Sequence, residues 1–351
     1  MKYFTGILIL TMVVCSCNSD QYVKHQSSLF PVHVDGKWGF IDRTGKLVII
    51  PQYDNLYRLK GMCFNEGLAP VESRGKWGYI DETGKYVIEP QFDDAGHFSE
   101  GFACIGIEID RYFGKVKEMK FGYINKKGEQ ICELMFDDAF IFSSGYARVR
   151  IEEHYTYIDR SGQMIMLPKL DWACDFSEGL AWVHIGSKCG FIDKSTELVI
   201  QLPCTYESGG SPTFNEGVTA YKSEGKWGYL DKTGKWVIPP QFTRAGIFSE
   251  GLAFVELNNK LGFIDKTGEW VIEFQVSFIA VSSFSDGFAR FVDDSSGVPI
   301  YGYLNKLGTF AIAPQFDYAQ DFCEGLALVG IGTKFGYIDK TGRWIYEQDQ
   351  K

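Results

Sequence analysis

The chain lacks most of the residue patterns that build catalytic and metal sites. Its five histidines form neither a His-x-x-x-His pair nor a His-Glu-x-x-His motif. It contains no Gly-rich phosphate loop and no Gly-x-Ser-x-Gly motif, and its nine cysteines include no Cys-x-x-Cys pair. These absences predict no metal, no cofactor and no catalytic residues.

Helical periodicity and positive charge are also scarce. No segment of the repeated region keeps a 3.6-residue period, whereas aromatic residues make up 16% of the chain, which is typical of a folded, β-rich protein. The formal net charge is −10. Such an acidic chain repels phosphates, so we expect no nucleic acid among its partners.

The N-terminus differs from the remainder of the chain. An apolar run from Tyr3 to Val14 is too short to span a bilayer and is followed by Cys15, Ser16 and Cys17. This ending resembles the cleavage site of bacterial lipoproteins. The resemblance implies that residues 1–16 are a signal peptide, that Cys17 is lipidated, and that residues 17–28 tether the protein to a membrane of the bacterial cell envelope, with the membrane and leaflet left open. The alternatives are a plain signal peptide or an uncleaved anchor.

A short phrase organises the chain from residue 29 onward. It reads aromatic, Gly, aromatic, aliphatic, Asp or Asn, and successive copies are 34 to 44 residues apart. The nine copies comprise residues 38–42, 77–81, 121–125 and 227–231, with five more around Thr156, Gly190, Gly262, Gly302 and Gly336.

Each unit holds three short apolar runs separated by turn residues, which predicts a three-stranded β-meander. The central Gly of the phrase indicates close approach of a neighbouring backbone or ring. A second Gly, as in Asp231 to Lys235, predicts a tight turn with positive φ, so Thr196 at that position predicts a strained turn. Proline, as at Pro90, is expected to close the last strand of a unit.

Most units open on an acid followed by Gly, as at Glu66-Gly67. These acids suggest either a functional row of carboxylates or, as we favour, acceptors for backbone amides at the turn between units. The aromatic residues near the junctions, such as Phe92 and Phe98, are expected to fill the space between units.

The Lys-Trp-Gly-Tyr-Ile-Asp, Lys-Thr-Gly-Lys and Phe-Ser-Glu-Gly-Leu-Ala phrases resemble the WG-repeat (KWG) family of bacterial proteins over residues 29–346. That resemblance implies a tandem β-repeat and no catalytic residues. Departures from the pattern are Thr156 in place of the central Gly, Cys189 in place of the aromatic, and Thr196 in place of the turn Gly.

The fold is therefore expected to be all-β, with about nine three-stranded β-meander repeats and a polar tail at residues 347–351. Propellers have four to eight blades of four strands, and both ends of the repeated region fall at unit boundaries. We therefore expect an open, twisted, solenoid-like array, with a closed propeller-like ring as the alternative.

Cysteines after Cys17 are odd in number and occupy no common repeat position, so we expect buried apolar residues and no disulfide framework. Adjacent acids can supply a glycosidase pair. These pairs are Asp93-Asp94, Asp137-Asp138, Glu152-Glu153 and Asp293-Asp294.

Three hypotheses follow for function. The first is a non-enzymatic envelope lipoprotein whose repeat surface binds a protein or a glycan, through segments that differ between units: 108–120, 207–213 and 293–299. The second is an enzyme that processes envelope glycans. The third is a passive spacer.

Overall fold

The computed structural model describes residues 29–56, 64–111, 116–165, 169–204, 212–274, 280–294 and 297–349. In these ranges every helix-or-strand element is a β-strand, and the strands form nine small antiparallel sheets. No helix in the same ranges is long and apolar enough to cross a membrane. The all-β class and the count of nine units are confirmed. Cys17, with the signal peptide and tether, lies outside the described residues.

Each sheet corresponds to one unit. Unit 1 contains β1 (Leu29–Val34), β2 (Lys37–Asp42) and β3 (Leu47–Tyr53), and unit 2 contains β4 (Asn55–Leu56), β5 (Leu68–Ser73), β6 (Lys76–Asp81) and β7 (Tyr86–Phe92). Unit 3 contains β8 (Asp94–Ala95), β9 (Phe102–Arg111) and β10 (Val116–Asn125), and unit 4 contains β11 (Asp138–Ser143), β12 (Tyr146–Ile151) and β13 (His154–Asp159).

Unit 5 contains β14 (Trp172–Ala173), β15 (Ala181–Ile185), β16 (Lys188–Ile192) and β17 (Leu198–Leu202), and unit 6 contains β18 (Val218–Ser223), β19 (Lys226–Asp231) and β20 (Trp236–Phe242). Unit 7 contains β21 (Arg244–Ala245), β22 (Ala253–Leu257), β23 (Lys260–Ile264) and β24 (Trp270–Glu273), and unit 8 contains β25 (Ala280–Val281), β26 (Phe288–Asp293), β27 (Ile300–Asn305) and β28 (Phe310–Phe316). Unit 9 contains β29 (Tyr318–Ala319), β30 (Leu326–Ile331), β31 (Lys334–Asp339) and β32 (Trp344–Asp349).

Many units contain an opening strand that the sequence did not predict. Asp94 and Ala95 form β8 and pair with Gly106 and Ile105 on β9. Equivalent two-residue strands open units 2, 5, 7, 8 and 9. Two residues carry no readable periodicity, so a strand of this length leaves no pattern in the sequence.

The central Gly of the phrase has the packing role expected of it. A Cβ on Gly78 would lie 2.6 Å from the carbonyl oxygen of Ile88 and 2.7 Å from the nitrogen of Pro90, both backbone atoms of β7. The register runs from Trp77 opposite Phe92 to Tyr79 opposite Ile88, so β7 carries two extra residues. Pro90 lies in this bulge inside the strand, which corrects the prediction that proline closes it.

Both faces of each sheet are covered. Gly78, Tyr79 and Ile80 are consecutive and all buried, although successive side chains point to opposite faces. The core around Ile88 of unit 2 also contains Phe98 and Ile105 of unit 3. Phe98, one of the aromatics expected between units, is 0% exposed. Neighbouring sheets therefore pack face to face.

The same packing joins unit 9 to unit 1. Phe30 and Ile41 of unit 1 share a buried cluster with Leu326 and Tyr337 of unit 9. The sheets consequently form a closed, nine-bladed β-propeller. The expected alternative, a closed ring, is the arrangement observed, and the preferred open array is wrong. Within residues 29–349 the described strands of the first and last blades belong to separate sheets, and the described contacts between these blades join their faces.

The last blade also corrects one boundary. β32 runs from Trp344 to Asp349 and pairs with β31 as far as Lys334 opposite Asp349. Residues 347–349 therefore belong to the sheet and not to a polar tail, and the final two residues lie outside the described part of the chain.

Candidate functional site

Antiparallel order places the connections of each blade at two opposite ends. One end of the ring carries the Asp-x-Thr-Gly turns and the acid-Gly junctions, and we call it the turn face. The other end carries the loops between the two long central strands and the links from one blade to the next, and we call it the hairpin face. Among the described residues these loops are 35–36, 74–75, 152–153, 186–187, 224–225, 258–259 and 332–333, together with 294 and 297–299 between β26 and β27.

The turns of the turn face are built by one carboxylate each. Asp81 Oδ1 accepts hydrogen bonds from the Thr83 backbone N (2.9 Å) and hydroxyl (2.6 Å). The Thr83 hydroxyl is the largest cause of the lowered pKa of Asp81. Gly84 closes the turn with φ of 82°, and Thr196 takes φ of 68° at the same position in unit 5. The predicted turn and its strained exception are both confirmed.

The junction acids link each blade to the next. Glu66 and Gly67 both have positive φ and form a two-residue hairpin turn. The Glu66 carboxylate accepts from the backbone N of Gly101 at 3.0 Å and pairs with Lys126 at 3.0 Å, both in the following unit. The expected acceptor role is confirmed, and the paired cation is a partner that the sequence analysis missed. Equivalent acids on Gly amides are Glu100, Glu178, Glu216, Glu250 and Asp286.

The Lys or Arg that pairs with a junction acid follows the Asp or Asn of the turn in the next unit. These pairs between junction acid and turn cation also link the last unit to the first. Glu324 of unit 9 pairs with Arg43 of unit 1. The series is interrupted where Ser144 replaces the junction acid of unit 4 and where Glu82 replaces the turn cation of unit 2. In most units the junction position is acidic and the position after the turn Asp or Asn is basic. This recurring opposite charge was a signal in the sequence for the missed pairing.

Acids on the hairpin face are also occupied by structural contacts. Asp93 pairs with Lys76 at 2.5 Å and accepts from the Glu108 backbone N at 3.0 Å. The Lys76 hydrogen bond is the largest cause of the lowered pKa of Asp93. Asp137 is held in the same way by Lys120 and the Glu152 amide. Asp93 and Asp137 thus belong to the inter-unit links.

The remaining members of the acid pairs are dispersed. Asp94 and Asp138 lie in strands β8 and β11, Glu152 and Glu153 form a hairpin loop, and Asp293 ends β26 next to Asp294. Burial raises the pKa of Asp94, whose carboxylate accepts from the Ala95 amide at 2.8 Å.

Unit 3 extends the hairpin face. β9 and β10 have ten residues each, against six in β5 and β6. Four extra residues per strand lengthen the hairpin by about 13 Å. Lys117 pairs with Glu108 across the extension at 2.7 Å, and Ile109 is exposed. This projection corresponds to the segment 108–120 that the sequence marked.

Of segment 293–299, residues 293–294 and 297–299 are described. They lie on the same face, at the end of β26 and in its connection to β27, and Val298 is 60% exposed. Of segment 207–213, only residues 212 and 213 are described. The structure therefore brings two of the three predicted variable segments to one face of the ring.

Cys189 and Cys204 form a disulfide, a single pairing that the sequence analysis, which expected no disulfide framework, did not identify. Their spacing of 15 residues equals that of Trp77 and Phe92, which face each other across β6 and β7. The disulfide replaces this aromatic pair in unit 5, and the equal spacing was a signal available in the sequence. Among the described residues, Cys104, Cys132 and Cys323 are free thiols, and no group of three or more His, Cys, Asp or Glu residues is placed to hold a metal.

Comparison with known proteins fits this architecture. The profile of the WG-containing repeat matches residues 38–77, 77–107, 121–153, 155–189, 227–260, 262–295 and 301–334, which is more than half of the chain. No curated protein matches the sequence.

Solved structures also match the chain. A structure described as the eukaryotic initiation factor has 10% identity and a TM-score of 0.62, with 93% of this chain and 96% of that chain covered. Kluyvelomyces marxianus Hsv2 has 10% identity and a TM-score of 0.42, with 72% and 94% covered. At such identity the first similarity supports the fold alone.

Proposed function

The chain belongs to the family of WG-containing repeat proteins, and from this we propose that it is a non-enzymatic, lipid-anchored protein of the bacterial cell envelope that binds a protein partner through its hairpin face. The turn face is the uniform side of the ring, tied together by acid, amide and cation contacts. The hairpin face is where the units differ.

The observation that carries this proposal is the extended β9–β10 hairpin. It projects from a ring whose blades are packed on both faces, so its position is fixed by the scaffold. Its charged residues pair with one another, as Lys120 does with Glu118 at 2.9 Å, and Ile109 remains exposed beside them. A projection with mixed charged and apolar side chains suits recognition of a protein surface.

The distribution of aromatic residues favours a protein over a glycan. Sugar binding by stacking requires accessible rings, but Tyr79, Tyr123 and Tyr303 are fully buried. Large exposed aromatics in the described residues are Trp236, Phe310 and Tyr318, which lie on separate strands of three units. The contacts of Asp93 and Asp137 similarly favour structural roles for these acids over catalytic ones.

The envelope location rests on the sequence around Cys17 and gains support from the disulfide. Disulfides such as Cys189–Cys204 persist in oxidising compartments outside the cytoplasm. Labelling cells with a clickable palmitate analogue tests the anchor. The wild type takes up the label and Cys17→Ala does not; equal labelling of the two contradicts lipidation.

Partner binding is tested by shortening the hairpin. Replacing residues 108–119 with Arg-Gly, the loop of unit 2, retains Lys120 and its contact with Asp137. We expect the melting temperature to remain within a few degrees and the proteins captured by in-cell crosslinking to be lost. Leu307→Thr is the matched control, because it restores the usual repeat residue at an 83% exposed position of the turn face. Capture that survives hairpin shortening contradicts the assigned site.

A further inference from the structure

Unit 1 carries three exposed aliphatic side chains on its outermost strand. In β3, Leu47 and Val48 are each 44% exposed and Ile50 is 64% exposed, and we call these three residues the unit 1 rim. The register of the outer strands aligns Ile50 with an acid in units 2, 7 and 9, namely Glu89, Glu273 and Glu347. Contiguous exposed apolar residues of this kind are typical of a contact surface.

Cations flank the unit 1 rim on the turn face. The last residue of the turn is Lys46 in unit 1, Lys85 in unit 2 and Arg343 in unit 9, and all three are exposed. The same position holds Glu in units 3, 5 and 7. The turn of unit 2 packs on Ile49 and the turn of unit 1 packs on Ile345, so the three cations lie on adjacent blades. They form a local basic patch in a chain whose net charge is −10.

The first described strand begins beside the unit 1 rim. Leu29 pairs with Asp42 on one side of β2, and Ile41 pairs with Leu47 on the other side. Neighbouring strands are about 4.8 Å apart, so the backbones of Leu29 and Leu47 are roughly 10 Å apart. Both residues lie at the turn-face end of unit 1.

The length of chain before Leu29 limits the distance to an anchor on Cys17. Leu29 follows Cys17 by twelve positions, and a chain of that length reaches about 40 Å when fully extended. Whatever conformation those residues take, a lipid on Cys17 keeps the bilayer within that distance of Leu29. The unit 1 rim is therefore an apolar surface held close to the bilayer.

We propose that the unit 1 rim rests on the bilayer to which Cys17 is attached, an inference that depends on the proposed lipidation. The aliphatic side chains enter the interface between headgroups and acyl chains, and the flanking cations contact anionic headgroups. A second copy of the chain fits this surface less well, because two rims facing each other would bring their cations together.

This contact orients the ring relative to the membrane. The unit 1 rim and Leu29 lie towards the turn face, whereas the β9–β10 hairpin projects from the hairpin face, two units further on. The hairpin face is then directed away from the bilayer, where a protein partner can reach it.

Crosslinking to lipid tests the contact in cells. A photoreactive residue replaces Val48 in the full chain, and the membranes contain a clickable phospholipid. Val237 is the matched control position, since it occupies the same place in unit 6, is 42% exposed and lies four blades away. We expect at least fivefold more lipid adduct from position 48 than from position 237.

The same comparison on vesicles does not depend on lipidation. Six histidines replace residues 1–16, Cys17→Ala removes the lipid acceptor, and a nickel-chelating lipid holds the chain on vesicles of phosphatidylcholine and phosphatidylglycerol. We again expect at least fivefold more adduct from position 48 than from position 237.

Variants on the two rims test which side chains make the contact. Leu47→Gln with Ile50→Glu introduces the residues found at these positions in units 3 and 2, and it is expected to lower the adduct from position 48 at least threefold. Trp236→Gln with Pro239→Glu makes the same changes in unit 6 and is expected to leave that adduct unchanged. Melting temperatures are expected to remain within a few degrees, because all four positions are exposed.

Charge reversal tests the basic patch. Lys46→Glu is expected to lower the adduct at least twofold on vesicles that contain phosphatidylglycerol. Equal adduct from positions 48 and 237 on vesicles overturns the proposal, as does crosslinking of position 48 to a second copy or another protein in place of lipid. Equal acyl labelling of the wild type and Cys17→Ala, with the difference between positions retained on vesicles, overturns the anchor and not the contact surface.

Discussion

The hydroxyl of Tyr337 donates a 2.9 Å hydrogen bond to the carbonyl oxygen of Pro31, which precedes it by 306 residues. In other units the equivalent tyrosine bonds a carbonyl 17 residues further along the chain, as Tyr229 bonds Gly246 at 2.8 Å. For the tyrosine of the last unit, the first blade supplies the acceptor. The tyrosine contact that links neighbouring units elsewhere therefore joins the last blade to the first and helps to close the ring.

Tyr337→Phe is therefore expected to destabilise the protein as much as the same change inside the ring. Each substitution removes the hydrogen bond of a buried tyrosine hydroxyl to a backbone carbonyl, at a cost of about 1–3 kcal/mol in the free energy of unfolding. Urea denaturation of Tyr337→Phe and Tyr229→Phe measures both. A normal midpoint for Tyr337→Phe beside a lowered one for Tyr229→Phe indicates that the joint between units 9 and 1 is open in solution.

Gly78→Ala is expected to be strongly destabilising because the added methyl would lie 2.6 Å from a backbone oxygen of β7. Overpacking of this kind costs about 1–3 kcal/mol. Gly96→Ala is the matched control, since its Cβ would meet its nearest atom at 3.6 Å, and we expect a change of about 0.5 kcal/mol or less. Equal unfolding midpoints for the two variants contradict the packing role of the central Gly.

Ser144→Glu is expected to stabilise the protein. It supplies the junction acid that unit 4 lacks, at a residue whose φ of 56° already matches the acid positions. The new carboxylate has the Gly179 amide and Lys194 as partners, and we expect a gain of about 1 kcal/mol in thermal or urea unfolding. Ser144→Gln is the control for charge. An equal gain in unfolding free energy for both variants contradicts a contribution from the ion pair with Lys194.

Acid is expected to weaken the turn face. The pKa of Asp231 is lowered, first by its hydrogen bond from the Thr233 hydroxyl. Because the folded-state pKa lies below the unfolded value of 3.8, the stabilisation is present above about pH 4 and is lost as pH falls through the folded-state pKa. Asn125 builds the same turn without a charge, its Oδ1 accepting from the Lys127 amide at 2.9 Å. Asp231→Asn should fold and reduce the dependence of unfolding free energy on pH between 5 and 3; an unchanged slope refutes the assignment.

Reduction of Cys189–Cys204 is expected to lower stability by about 3 kcal/mol, the entropic effect for a 15-residue loop. The double variant Cys189→Phe with Cys204→Phe restores an aromatic pair like Phe121 and Phe136. We expect this variant to recover part of the loss and to be insensitive to dithiothreitol. Identical unfolding midpoints of the wild type with and without reductant contradict a stabilising role.

The unit was predictable from the sequence because its phrase recurs nine times, so the turns at Gly84 and the packing at Gly78 followed from residue type alone. Closure was not predictable in the same way. It depends on the small rotation between successive blades, which is set by many packing contacts and by no single residue. The contact between Tyr337 and Pro31 joins opposite ends of the chain and leaves no local pattern.

The candidate surface was predicted in part. Insertions identify segments 108–120 and 293–299, but only the strand order reveals that both reach the hairpin face. The link from Glu66 to Lys126 was missed because each residue reads as an ordinary turn residue in its own unit. Their relationship becomes visible when charges are compared between adjacent units.

The most direct test of the account is photocrosslinking in cells from single positions on the two faces. A photoreactive residue at Ile109, Val298 or Ile331 probes the hairpin face, and one at Lys85, Lys235 or Leu307 probes the turn face. The account predicts that the hairpin positions crosslink one common protein and that the turn positions do not. Equal crosslinking of that protein from both faces, or from the turn face alone, would contradict it.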